Sequence, residues 1–144
     1  MQGIIICDDD RFMLDISANA VLRCIEKENL NTRIVCITQD SANVMLYIKK
    51  NPGSYLYFLD IDLGRAALNG VDIARLIKKQ EPLSKIVFVT SHADMGMDIL
   101  KGGVEALALL KKPPTKIKSF RLTINISAFI QAMPKATVIS MSLP

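Results

Sequence analysis

The chain alternates between short apolar runs and longer segments in which apolar residues recur at every third or fourth position. Short runs rich in β-branched residues are typical of buried strands, whereas the longer spacing is typical of helices that pack on one face. The apolar runs predict five strands, at residues 3–7, 33–38, 55–60, 85–90 and 106–110.

The segments between these runs predict helices with recognisable start and stop residues. Asp40 and Ser41 favour a helix start, and the Asn-Pro-Gly stretch at residues 51–53 breaks a helix. The fourth helix is weak because it contains Gly96. The fifth segment also fits a strand, but its length and its place after a strand–helix alternation favour a helix. The predicted helices lie at residues 11–28, between Asp40 and Asn51, from Val71 to before Pro82, and at 93–101 and 115–133.

This alternation predicts an α/β fold of the flavodoxin-like, doubly wound kind. We expect a five-stranded parallel sheet of order 2-1-3-4-5, with helices on both faces and right-handed crossovers. Residues 1–132 would form this domain, and residues 133–144 a linker or C-terminal tail. Ligands of such sheets bind beyond the carboxyl ends of the strands.

Composition fits one globular domain and excludes several other classes. The chain has 144 residues, of which 50% are hydrophobic and 22% charged. No apolar stretch approaches the roughly 20 residues of a membrane span. The start, MQGIIICDDD, lacks the basic region of a signal peptide, so we expect a cytoplasmic protein.

Neither the cysteines nor the basic residues predict a separate site. Cys7, Cys24 and Cys36 lie in apolar patterns without CxxC spacing, and there is one histidine, so we expect buried thiols in a reducing compartment rather than zinc. The net charge of +4 comes largely from a late basic segment. No aromatic residues interleave there, so a solvated helix face is favoured over nucleic-acid binding. The basic residues are Lys111, Lys112, Lys116, Lys118 and Arg121.

Polar side chains end four of the predicted strands. In a sheet of order 2-1-3-4-5, strands one, three, four and five are contiguous, so these side chains converge on one rim. Single residues of this kind are often only helix caps, as Asp10 and the Thr-Ser pair could be, but four in order are harder to obtain by chance. They are Asp8, Asp9 and Asp10, then Asp60, then Thr90 and Ser91, then Lys111 and Lys112.

These residue types suit phosphoryl transfer to a carboxylate. Clustered carboxylates repel one another, and a divalent cation with hard oxygen ligands, such as Mg²⁺, removes that cost. A carboxylate beside the cation can attack phosphorus and form an aspartyl phosphate. A lysine ammonium and a threonine hydroxyl can then stabilise the phosphoryl oxygens.

The motifs CDDD, FLDIDL, FVTS and KKP, on successive strands, closely resemble those of the receiver domains of bacterial two-component response regulators. The resemblance covers residues 3 to about 132. The sequence pattern FLDIDL…NG…IVFVTSH further resembles that of the receivers of LytTR-type regulators, such as the Agr-type quorum-sensing regulators.

The resemblance implies roles for particular residues. Asp60 would be the phosphoacceptor, Thr90 the switch hydroxyl and Lys112 the phosphate-binding lysine, with Lys111 as its competitor because only one of the two should point at the site. Asp9 would contact Mg²⁺, or Mn²⁺ in its place, directly, and Asp8 through water. The complete implied metal set is Asp8, Asp9, Asp60 and the backbone carbonyl of Asp62.

Three departures from the family pattern bear on the switch. The loop from Asp60 to Gly70 is longer than usual. Leu109 stands where the family often has a Tyr or Phe, so the usual inward swing of an aromatic ring behind Thr90 is in doubt. Pro114 follows the lysine-proline pair and would reshape the entry to the last helix.

The implied function is a phosphorylation switch that receives its phosphoryl group from a sensor histidine kinase. It would catalyse only its own phosphorylation and dephosphorylation, and would act on an output such as transcription through the fourth helix. A homodimer through the helix 4, strand 5 and helix 5 face is a further implied partner. LytTR-type relatives carry a DNA-binding domain after the receiver, and we expect none within this chain, which is either a shortened form or a stand-alone receiver.

Two alternatives remain. A pseudo-receiver would keep the fold as a binding module without phosphorylation. A phosphatase of the haloacid dehalogenase kind also uses an Asp-x-Asp motif, but there the motif normally follows the first strand rather than the third.

Overall fold

The computed structural model describes residues 2–61, 69–91 and 106–111. These residues alternate between strand and helix, as the apolar pattern predicts. The elements are β1 (Gln2–Cys7), α1 (Arg11–Glu28), β2 (Thr32–Thr38), α2 (Ser41–Lys50), β3 (Tyr55–Asp60), α3 (Gly70–Gln80), β4 (Lys85–Thr90) and β5 (Ala108–Lys111).

The strands form one parallel sheet in the order β2-β1-β3-β4-β5, which confirms the predicted topology. Cys7 pairs with Leu59, and Asp60 pairs with Val89. Thr90 pairs with Lys111. This register brings the carboxyl ends of β1, β3, β4 and β5 to the same edge of the sheet.

The apolar runs form strands because both faces of the sheet are covered. β1 and β3 are buried along their whole lengths, as central parallel strands are. One face packs against α1 through residues such as Leu14 and Val21, and the other packs against α2 and α3 through residues such as Val44 and Ile73. β2 lies at the edge of the sheet and is partly exposed.

The ends of the predicted strands agree with the structure to within one residue, except at β5. β3 and β4 have the predicted bounds, whereas β5 runs over Ala108–Lys111 rather than 106–110. The half-buried residues 106 and 107 precede the regular ladder, where Leu107 donates a single backbone hydrogen bond to Ile86 at 2.7 Å. The predicted helices at 93–101 and 115–133 and the tail at 133–144 lie outside the described residues.

Two acids start helices. The Asp10 carboxylate accepts hydrogen bonds from the backbone N–H groups of Phe12 and Met13, and Asp40 accepts one from Ala42. Such caps stabilise a protein by about 1 kcal/mol each. The expectation that Asp10 and Asp40 are caps is therefore confirmed.

Among the described residues, no helix is both long enough and apolar enough to cross a bilayer.

Candidate functional site

Three carboxylates meet at the carboxyl edge of the sheet. Asp8 and Asp9 follow β1, Asp60 ends β3, and one oxygen of each lies within 4.8 Å of the others. Asp8 is 2% exposed and Asp60 is 4% exposed, whereas Asp9 lies at the surface. The cluster forms because β1 and β3 are hydrogen-bonded neighbours that end side by side.

The three consecutive acids after β1 have different environments. Asp10 turns into the first turn of α1 as its cap, and its own N–H donates to Asp8 Oδ1 at 3.0 Å. The Asp9 carbonyl accepts a hydrogen bond from Gln39 Nε2 at 2.9 Å, which ties the end of β1 to the residues after β2. Asp8 and Asp9 therefore belong to the carboxylate cluster, whereas Asp10 caps α1. Gln39 carries no signal in the sequence that would have predicted this contact.

Cys7 lies next to the cluster, and its pKa is changed by burial and by nearby carboxylates. Burial raises the pKa of Cys7 to about 12, and the nearby negative charges of Asp8, Asp40 and Asp60 add to the effect. Cys7 is therefore a protonated thiol at neutral pH. The prediction of buried thiols is confirmed for Cys7, while Cys24 and Cys36 are half-buried, and all three are free cysteines.

The donor set of the cluster fits a hard divalent cation. It offers carboxylate oxygens, which Mg²⁺ prefers, and it brings three negative groups together where a cation would offset their repulsion. Asp62, whose backbone carbonyl is the fourth expected ligand, lies outside the described residues.

Thr90 lies at the edge of the sheet beside the cluster. It ends β4 with its side chain fully buried, directly after Val89, which pairs with Asp60. The backbone of Lys111 pairs with Thr90 at the end of β5. Lys112 lies outside the described residues, so the choice between the two lysines stays a prediction.

Leu109 packs against the edge of the core. It is half-buried against the core cluster on the α2 and α3 face, and its register partner is the buried Phe88. An aliphatic side chain therefore occupies the position at which the family often has an aromatic ring. The effect of this exchange on the switch remains a prediction.

The start of α3 lies directly against the strand that carries Asp60. Asn69 caps the helix through a reciprocal pair of hydrogen bonds with Asp72, and the N–H of Gly70 donates to the carbonyl of Ile61 at 2.9 Å. The sequence indicates only a loop ending in Asn69-Gly70. A single sequence does not distinguish a glycine needed for a turn from one needed for close packing.

Comparison with known protein families identifies one family over most of the chain. The sequence model described as "Response regulator receiver domain" matches residues 4–123. Two curated relatives illustrate the match. The chain is 29% identical over 116 residues to "Accessory gene regulator protein A" of Staphylococcus epidermidis, covering 80% of this chain and 48% of the relative. It is 30% identical over 92 residues to the protein of the same name from Staphylococcus aureus, covering 64% of this chain and 38% of the relative.

The chain thus spans about half the length of the curated relatives that it matches, or less. These relatives confirm the predicted resemblance to Agr-type regulators.

Solved structures agree on the fold. A response regulator receiver domain protein from Clostridium thermocellum superposes with a TM-score of 0.62 at 23% identity, covering 81% of this chain and 86% of that chain. NtrX from Brucella abortus superposes with a TM-score of 0.66 at 22% identity, covering 96% of this chain and 28% of that chain. The strand order, the acidic edge of the sheet and the family match agree, and the chain belongs to the response regulator receiver domain family of two-component systems.

Proposed function

We propose that this chain is a working phosphoacceptor, in which Asp60 takes a phosphoryl group from the phosphohistidine of a sensor histidine kinase in the cytoplasm. The observation that carries the proposal is the meeting of Asp8, Asp9 and Asp60 within 4.8 Å at the edge of the sheet. A buried carboxylate at the end of a central strand is held in one position, which favours reaction with a docked donor.

The residues proposed to hold Mg²⁺, or Mn²⁺ in its place, are the carboxylates of Asp8, Asp9 and Asp60 and the backbone carbonyl of Asp62. The fit of the oxygen donors supports this assignment. When bound, the cation supplies positive charge that offsets the carboxylates and the phosphoryl oxygens.

In the proposed reaction, a carboxylate oxygen of Asp60 attacks phosphorus. The new O–P bond forms as the P–N bond to the kinase histidine breaks, and the electron pair of that bond leaves with the imidazole nitrogen. The Thr90 hydroxyl donates a hydrogen bond to one phosphoryl oxygen, and the ammonium group of Lys112 pairs with another. Thr90 is buried and ends β4, the strand that pairs with the strand of Asp60, and this position supports its role.

The proposed output passes through the face formed by the fourth helix, β5 and the fifth helix. Phosphorylation would change the contacts that this face makes with a partner, such as a second copy of the chain. It would thereby control transcription through a separate effector domain. Leu109 packs against the core on the α2 and α3 face of the sheet, so we propose that Thr90 moves without the aromatic partner of the usual switch. The chain would catalyse only its own phosphorylation and dephosphorylation and would turn over no separate substrate.

The test is the intact mass of the protein after incubation with Mg²⁺ and acetyl phosphate or phosphoramidate. We expect a Mg²⁺-dependent gain of one phosphoryl group in the wild-type protein and in Asp10→Asn, since Asp10 caps α1 and is outside the carboxylate cluster. Asp60→Asn should show no gain. Bound Mg²⁺ without any gain in the wild-type protein would contradict the proposal and favour a pseudo-receiver.

A further inference from the structure

Gly70 touches the peptide of Asp60 more closely than any residue with a side chain could. A Cβ atom built on Gly70 would lie 1.9 Å from the carbonyl oxygen of Asp60, 2.9 Å from its carbonyl carbon and 2.9 Å from the Cα of Ile61. All three are backbone atoms, so no rotation of a side chain would relieve the contact. The φ angle of Gly70 lies outside the left-handed region. The position therefore requires glycine because of the close contact and not because of its backbone conformation.

Both elements that meet at this contact are fixed by other interactions. Asp60 ends a central strand that pairs with β1 on one side and β4 on the other. The helix α3 is capped by Asn69 and packs Val71, Ile73 and Ile77 into the core. The N–H of Gly70 also donates to the Ile61 carbonyl, so the first residue of α3 both bonds and abuts the end of β3.

A methyl group at residue 70 therefore requires a movement of the backbone. Real Cβ atoms essentially never approach a heavy atom within 3.0 Å, so the separation from the Asp60 oxygen must grow by about 1.1 Å. The peptide that this Cβ would meet is that of the proposed phosphoacceptor itself. A displacement of about 1 Å can lower a rate by about 100-fold when reacting groups depend on one geometry.

We infer that Gly70 is a positioning residue for the phosphoacceptor. Because Gly70 has no side chain, the start of α3 packs directly against the Asp60 peptide and so holds the Asp60 carboxylate close to Asp8 and Asp9. This inference rests on the proposed function of Asp60. Gly70 takes no part in the chemistry and acts through the position of Asp60.

The experiment compares Gly70→Ala with Gly3→Ala and Gly53→Ala. A Cβ on Gly3 would lie 2.8 Å from the ring of Tyr55, at the opposite end of the same sheet, so Gly3→Ala introduces a milder clash, with a side chain, away from the carboxylates. A Cβ on Gly53 would meet only ordinary contacts of 3.5 Å or more. Each protein is measured for folded fraction, for Mg²⁺ affinity by calorimetry and for the rate of phosphorylation by phosphoramidate.

At equal folded fraction, we expect Gly70→Ala to bind Mg²⁺ at least tenfold more weakly and to be phosphorylated about 10- to 100-fold more slowly than Gly3→Ala. Gly53→Ala should match the wild-type protein. Equal Mg²⁺ affinities and rates for Gly70→Ala and Gly3→Ala would overturn the inference and leave the proposed function intact. A wild-type protein that gains no phosphoryl group would instead overturn the proposed function.

A second measurement serves if Gly70→Ala does not fold. In the wild-type protein labelled with ¹⁵N-glycine, Mg²⁺ should shift the amide resonance of Gly70, whose N–H bonds to the Ile61 carbonyl, and should leave that of Gly3 in place. An unmoved Gly70 resonance at saturating Mg²⁺ would overturn the inference.

Discussion

Replacing Asp60 with Asn should make the metal-free protein more stable while abolishing its proposed function. The substitution removes one negative charge from three carboxylates that lie within 4.8 Å of one another. For a pair of charges at that separation, Coulomb's law with an effective dielectric constant of about 20 gives a repulsion of about 3 kcal/mol. Local relaxation reduces this value, so we expect Asp60→Asn to raise the free energy of unfolding by about 1–3 kcal/mol.

Magnesium should reduce this difference in stability. A ligand at 100 times its dissociation constant stabilises the folded state by about 2.7 kcal/mol. The wild-type protein should gain most of that stability from Mg²⁺, and Asp60→Asn should gain less, because it lacks one of the proposed ligands.

The assay is urea denaturation followed by far-ultraviolet circular dichroism, with and without Mg²⁺. Asp10→Asn is the matched control, because it also removes one negative charge but leaves the cluster and retains a good cap on α1. If Asp60→Asn were no more stable than Asp10→Asn without metal, or if Mg²⁺ stabilised all three proteins equally, the account of the carboxylate cluster would be wrong.

Three further predictions concern other parts of the structure. The Tyr57 hydroxyl donates a hydrogen bond to the buried Glu81 carboxylate at 2.8 Å. Burial raises the pKa of Glu81, and this hydrogen bond lowers it. Tyr57→Phe should therefore raise the pKa of Glu81 further. A carboxyl group with a raised pKa stabilises the folded state at low pH, and this stabilisation is lost as the pH rises through the folded-state pKa. Urea titrations of Tyr57→Phe should therefore show a loss of about 1 kcal/mol at acidic pH that grows to about 1.5–3 kcal/mol above the Glu81 pKa, and a pH-independent loss would contradict this account. A thiol reagent at pH 8 should label the buried Cys7 far more slowly than the half-buried Cys24, as peptide mass spectrometry can check. Asp10→Ala should lower the free energy of unfolding by about 1 kcal/mol and Asp10→Asn by much less, and equal losses would exclude a capping role.

The strands were predictable because each central strand is a mainly apolar run that ends on a polar residue or directly before one. β3 and β4 are buried on both faces, so burial dictates nearly every side chain between their ends. β5 was harder to bound, since the apolar residues at 106 and 107 approach the sheet before regular pairing begins at Ala108.

The site was less predictable than the fold. Asp8, Asp9 and Asp10 are chemically alike in the sequence, and only the position of the α1 amino terminus separates the cap from the two acids at the cluster. The role inferred for Gly70 depends on a contact between backbone atoms that no pattern of side chains encodes. The contributions of Asp62 and Lys112 remain predictions from the family resemblance.

Location of the phosphoryl group tests the central claim most directly. After phosphorylation with phosphoramidate and Mg²⁺, borohydride reduces an aspartyl phosphate to homoserine, and peptide mass spectrometry then finds the modified residue. The account predicts homoserine at position 60, formed only with Mg²⁺ and phosphodonor. Homoserine at Asp8 or Asp9 instead, or no homoserine in a fully folded, Mg²⁺-bound protein, would contradict it.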